Sequence, residues 1–364
     1  MISFALTQEQ ETAREAMRSF AADVLRPAAR EHEEAAALPE ALLAQAWELG
    51  LVPTQLPESV GGYGESRSPL TNAIVLEELA HGDVGLTLAA VAPAAFAYAV
   101  ADFGTDGQKK ELLPAFCGPS YSAAAIAIAE PTPGFDPSKL QTRAERDKDG
   151  YLLSGRKCFV PMGDRASHFL VAAQCNGRSD LFIVPRGAAG LQVSEVEKNL
   201  GVKALPTTTL VLDKVRLPYG SRLGGDAGAD VARLVNQSRV AIAAVLTGLS
   251  RAVLEFCVPY TKDRVAFDEP IARKQSIAFR LAEMHMEIEC CRWMTWKAAS
   301  QLEQGLDATR AAHLAHVYVA EKAMWIADNG VQCLGGHGFI RDNPVEMWYR
   351  NARTLGVLEG VIAV

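Results

Sequence analysis

Apolar residues recur at helical spacing from Thr7 to about Leu113, as at Ala13, Met17, Phe20, Ala21 and Val24 and again at Leu42, Leu43, Ala46, Trp47 and Leu51. This pattern predicts a helical first block. Thr7, followed by Glu9 and Gln10, has the chemistry of a helix N-cap, and the loop Pro57 to Gly64 punctuates the block. Between Ser122 and roughly Gly225 the texture changes to short apolar runs separated by Asp, Gly and Pro: 123–129, 140–146, 151–157, 169–174, 181–184 and 207–212. These runs predict strands. Asp147-Lys148-Asp149-Gly150 reads as a hairpin turn, and no helical stretch intervenes, so an antiparallel β-domain is expected and a Rossmann fold is not. Helical periodicity returns after Asp226, with long segments over 231–260, 272–304 and 307–333. The expected fold class is α+β in three domains, 1–121, 122–225 and 226–364, ending in a helical bundle.

The length of 364 residues supports such a division, and 49% hydrophobic with 22% charged residues is the composition of an ordered globular protein. Asp plus Glu number 43 against 36 Lys plus Arg, so the net charge of −7 offers no general attraction to nucleic acid or anionic lipid. The seven cysteines include no CxxC pair and sit among apolar residues, which suits reduced thiols. The N-terminus lacks the basic and apolar regions of a targeting signal, so a cytoplasmic location is expected. The uncharged stretch Val84 to Ala101 contains Pro93 and is expected to be a buried helix pair, with no membrane insertion.

Zinc-hydrolase, Walker and nucleophile-elbow motifs are missing, and no Cys/His cluster has metal spacing. His285, His313 and His316 read as surface or core-edge residues. Two features remain. Gln332 to Phe339 places three glycines directly after a long helix, which either ends that helix or admits a ligand close to backbone. Glu359 stands alone in the apolar run Gly356 to Val364, where burial would raise a carboxyl pKa into the range of a useful base; spacing alone favours reading it as a solvated residue near the chain terminus.

The blocks resemble the acyl-CoA dehydrogenase family along the whole chain. The resemblance is carried, in order, by Glu48-Leu49-Gly50-Leu51, Pro57-Glu58 with Gly61-Gly62-Tyr63-Gly64, Glu77-Glu78-Leu79-Ala80, Gln108-Lys109-Lys110 and Glu130-Pro131 with Gly134 and Asp136. It continues through Gly155-Arg156-Lys157, Asp263-Arg264 with Phe267 and Gln275, Gly335-Gly336-His337-Gly338, Pro344-Val345-Glu346 and Leu358-Glu359-Gly360. It implies an FAD enzyme with an N-terminal α-domain, a middle β-domain and a C-terminal four-helix domain, usually a homotetramer or dimer, that passes electrons to an electron-transfer flavoprotein. Glu359 falls on the base that removes the α-proton of an acyl-CoA while hydride leaves the β-carbon for the flavin. Some members carry the base early in the C-terminal domain, and the matching position here is Ser238, which is no base.

By the same resemblance Asn236, Arg239, Leu358 and Gly360 contact substrate, Arg239 facing the CoA moiety. Arg264, Phe267, Gln332, Gly335 and Gly336 match positions that embrace the FAD of a neighbouring subunit, and Ala129, Gly134, Phe135, Phe159, Pro161 and Val361 match positions along the flavin. Here the sequence departs from the family's pattern. Ala129 and Phe135 stand where Thr or Ser is usual, Pro161 lacks a backbone N–H, and Val361 replaces a Thr. These departures motivate an alternative expectation, a flavin-poor or non-catalytic subunit in a heteromer with a related chain.

Overall fold

The computed structural model describes residues 5–364; the expectation about a targeting signal rests partly on residues 1–4 and lies outside it. The first helix, α1 (Gln8–Phe20), begins where the capping chemistry predicts. The Thr7 side chain accepts from the Gln10 amide, and the Gln10 side chain accepts from the Thr7 amide. After one π-turn follow α2 (Arg26–Ala35), α3 (Glu40–Glu48), α4 (Leu51–Thr54), α5 (Pro69–Gly82), α6 (Val84–Phe103) and α7 (Asp106–Leu112).

The expected helix pair over 84–101 is a single helix, α6, with Pro93 inside it. Proline removes the hydrogen bond to the carbonyl four residues back. That carbonyl, on Ala89, accepts instead from the Tyr121 hydroxyl at 2.7 Å, so the break that the sequence suggests never opens. Asp83 caps the same helix through the Leu86 amide at 2.8 Å. This helix and the long one at 231–263 are long and apolar enough to cross a membrane, but they are largely buried inside the fold.

The middle block is one sheet of seven strands: β1 (Ala125–Ala127), β2 (Arg143–Asp147), β3 (Gly150–Pro161), β4 (His168–Cys175), β5 (Arg178–Pro185), β6 (Leu191–Val193) and β7 (Thr207–Pro218). The 147–150 turn joins β2 and β3 as expected. The sheet is not wholly antiparallel, because β4 pairs in parallel with β1 and, at one position, with β2. Apolar runs give strand lengths and faces but carry no direction, so they could not foretell these two partners. The short strand β6 was not anticipated. In β3 the register with β7 slips between Lys157 and Val160, and the bulge leaves Phe159 left-handed at φ 52°.

Four helices close the chain: α8 (Val231–Asp263), α9 (Gln275–Glu303), α10 (Thr309–Leu334) and α11 (Val345–Leu355), each long segment within three residues of its expected end. The α8–α9 connection holds a two-residue hairpin, β8 (Val265–Ala266) with β9 (Glu269–Pro270). The seven cysteines are free, and Cys290 is exposed.

One apolar core runs from α1 and α2 through α5 and the start of α6 into α8, α9 and α10. Inside the same interface lie two adjacent carboxylates of α5. Glu77 pairs with Arg251 and Arg292, and Glu78 with Arg251 at 2.7 Å and Arg18 at 3.2 Å. Burial alone would raise the Glu78 carboxyl, but its hydrogen bonds to Arg251 and Arg18 outweigh it and bring the pKa down to about 2. A pKa lowered on folding gives stability that is present above the unfolded value near 4.5 and is lost as pH falls towards 2. Glu78→Gln is expected to cost on the order of 3 kcal/mol at neutral pH, a penalty that shrinks below pH ~4.5; unfolding of both proteins at pH 7 and pH 3 checks it.

Candidate functional site

Glu359 follows α11 in a segment that ends buried, and its position is set from three sides. The amide of Gly360 donates to Ser238 Oγ on α8 at 3.0 Å. Gly360 is left-handed at φ 73°, and a Cβ there would stand 2.6 Å from the Cβ of Ile128, just beyond β1. Only glycine lets the segment lie this close to the sheet. The carboxylate itself accepts from Arg239 Nε, both side chains being largely buried at 15% and 14% exposure. Ser238, read from sequence only as a position without a base, thus acts as the anchor of the Glu359 turn.

Arg239 borders a cleft of about 490 Å³ between the β-domain and α8, lined also by Asp136, Ser138, Val235, Asn236 and Thr309. Asn236 donates to Thr309 Oγ1 at 3.1 Å, which joins α8 to α10 at the mouth. The loop on the other wall is held by Glu130, whose carboxylate accepts from the Gln141 and Thr142 amides and from Lys157 Nζ at 2.8 Å. Lys157 is fully buried; burial lowers its pKa to about 8, opposed by the Glu130 charge. Asp136, Ser138, Thr309 and Glu130 were not picked out as site residues. Glu130 and Asp136 stand in the Glu130-Pro131, Gly134 and Asp136 marker without having been given a role in the site, and Ser138 and Thr309 are joined to them only by the fold.

The structure therefore brings together Glu359, Arg239, Asn236, Leu358, Gly360 and Val361, with Ala129 next to Ile128. The Ala129 carbonyl is taken by the Cys158 amide at 3.0 Å, Pro161 is buried at the end of β3, and Val361 is buried. Phe159 is half-buried, Phe135 packs on the core around α6, and Gly134 is open on its Cβ side. These positions are apolar and mostly buried within the chain. Arg264, Phe267, Gln332, Gly335 and Gly336 lie elsewhere. Arg264 caps the C-terminal end of α8, 25 residues after Arg239, or roughly 37 Å along the helix.

At that far end these five residues are exposed, Phe267 at 87%, and nothing comes within 4 Å of a Cβ built on Gly335 or Gly336. An exposed guanidinium, an aromatic face, an amide and two open glycines fit the phosphates and adenine of a dinucleotide, and the residues near Glu359 matched to the flavin are apolar. Within one chain the two halves lie at opposite ends of the α8 segment from Arg239 to Arg264.

Family models for the N-terminal, middle and C-terminal domains of acyl-CoA dehydrogenases match residues 7–118, 125–215 and 227–364. The chain is 31% identical to a probable acyl-CoA dehydrogenase, FadE25, of Mycobacterium tuberculosis, over 98% of its own length and 93% of that protein. It is 30% identical to the cyclohexane-1-carbonyl-CoA dehydrogenase of Geobacter metallireducens, over 98% and 95%. Butyryl-CoA dehydrogenase from Megasphaera elsdenii superimposes with a TM-score of 0.89 at 29% identity, over 99% and 96% of the two chains. The chain belongs to the acyl-CoA dehydrogenase family of oxidoreductases.

Gly360→Ala forces both a left-handed alanine and a clash with Ile128, and is expected to cost ~1–3 kcal/mol of stability. Thermal unfolding of this variant, alone and with Ile128→Ala, checks the cause, since the second substitution should recover part of the loss.

Proposed function

We propose that the chain dehydrogenates an acyl-CoA thioester between its α- and β-carbons, with Glu359 as the base. The observation that carries this reading is the Glu359 carboxylate fixed by Gly360, Ser238 and Arg239 beside the cleft. FAD, when bound, supplies the acceptor for the hydride and its two electrons. The chain's own residues bind, orient and deprotonate. Leu358 and Val361 shield the carboxylate from water on either side, and Asn236, Thr309 and Ser138 offer polar edges to the CoA along the cleft. Glu359 takes the α-proton into its carboxylate, and its own backbone amide, as distinct from the Gly360 amide held by Ser238, would donate to the thioester oxygen as that oxygen gathers charge.

Arg264, Phe267, Gln332, Gly335 and Gly336 would serve the FAD of a neighbouring copy, which makes a homodimer or homotetramer the working assembly. Electrons would leave to an electron-transfer flavoprotein. The apolar residues Ala129, Pro161 and Val361 favour one second reading, in which a related subunit completes the flavin site and this chain is the flavin-poor partner.

Glu359→Gln is expected to retain the fold and any FAD yet lose at least 1,000-fold in the rate at which an acyl-CoA bleaches the flavin, as measured by anaerobic stopped flow. Unchanged bleaching would remove Glu359 from the reaction. A wild-type protein that stays colourless with added FAD would favour the heteromer.

A further inference from the structure

The resting partner of the base is a cation. Arg239 borders the cleft, whereas Glu359, whose carboxylate it holds, does not. The Glu359 oxygen that accepts from Arg239 Nε has that lone pair occupied and cannot receive a proton there while the contact holds. Any ligand that enters the cleft meets Arg239 first, and for Glu359 to act Arg239 has to go somewhere else.

A second seat exists on α10. This helix runs parallel to α8, because Asn236 bonds to Thr309 near the two N-termini while Cys257 Sγ reaches the Gly330 carbonyl further along both. His316 lies seven residues past Thr309, two turns on and on the same face. Its Nδ1 is buried and has no hydrogen-bond partner among the described residues. Burial first, then the positive charges of Arg239 and His313, push its pKa down to about 4, so the imidazole is neutral at pH 7 and one ring nitrogen is an acceptor. A buried ring nitrogen without a partner, on the α10 face that meets α8 and close enough to feel the charge of a guanidinium that must change partner, is an unusual pairing of needs.

We propose that His316 is a positioning residue that receives the Arg239 guanidinium when a ligand fills the cleft, so that Arg239 alternates between Glu359 and His316 and the base is freed only in the occupied state. The identity of the ligand, an acyl-CoA, rests on the function proposed above; the alternation does not. A ligand can drive such a change only as far as it favours one arrangement over the other. The His316 bond lowers the cost of leaving Glu359, and binding therefore becomes tighter than it would be without it.

Two experiments test this. In a crystal structure of Glu359→Ala without ligand, the Arg239 guanidinium is expected to donate to His316 Nδ1; a guanidinium still directed at position 359 or out to solvent overturns the proposal. In the second, calorimetry measures binding of S-alkyl-CoA thioethers, which lack the carbonyl that acidifies the α-proton. His316→Leu is expected to bind the tightest of them about tenfold more weakly than wild type, and His316→Asn, which keeps an acceptor, to restore most of that affinity. In an Arg239→Ala background the His316→Leu loss should vanish. Equal affinities for His316→Leu and wild type, or the same loss without Arg239, overturn the proposal, the latter by showing a purely structural role. If wild type binds none of the thioethers, the acyl-CoA reading fails, and the Glu359→Ala structure still decides whether Arg239 moves to His316.

Discussion

Two carboxylates buried side by side are tolerable only if cations meet them inside, and the seating of α5 on the C-terminal bundle depends on this constraint. Glu77 and Glu78 face Arg251 on α8 and Arg292 on α9, with Arg18 on α1 closing the ring. Each of these residues is needed by the others, since a lone buried charge costs more than the pair returns. The network selects one register of α5 against α8. Once that register is set, Ser238 and Arg239 lie where the end of the chain can reach them.

The site is then assembled from segments remote in sequence. The sheet contributes Ile128 as the surface on which Gly360 rests, α8 contributes the anchor and the cation, and α10 closes the mouth through Thr309. The buried Glu130 and Lys157 pair holds the loop on the opposite wall. None of these pieces has a function by itself. The chemistry comes from their convergence on a cleft whose polar groups belong to loops and helix starts and whose interior is apolar.

Much of this was legible in the sequence, for physical reasons that differ between elements. Helix periodicity spans many residues, so α8, α9 and α10 are located within three residues, and the Thr7 cap is local chemistry that depends on nothing else. Strand direction is a long-range property and was misjudged at β1, β2 and β4. Pro93 was read as a break because the Tyr121 hydroxyl that repairs it lies 28 residues away in sequence. Glu359 stood out as a carboxylate in an apolar run, but its partner Arg239 is 120 residues distant, and only the fold joins them. His316 was set aside for lack of metal spacing, which is the wrong signal for a residue whose neighbour is a guanidinium.

Helix α8 has one more consequence, which is mechanical. It is a rod of 33 residues with Arg239 near one end and Arg264 at the other, packed at its middle against α5. A rigid rod pivoting about its centre moves both ends at once and in opposite directions. A tilt of about 5° displaces Arg239, about 12 Å from the centre, by about 1 Å and Arg264, about 25 Å from it, by about 2 Å, enough to make or break a hydrogen bond. Were α8 to tilt as one rod, its two extremities would move together, so the cleft at Arg239 and the exposed end at Arg264 are mechanically joined by one continuous helix.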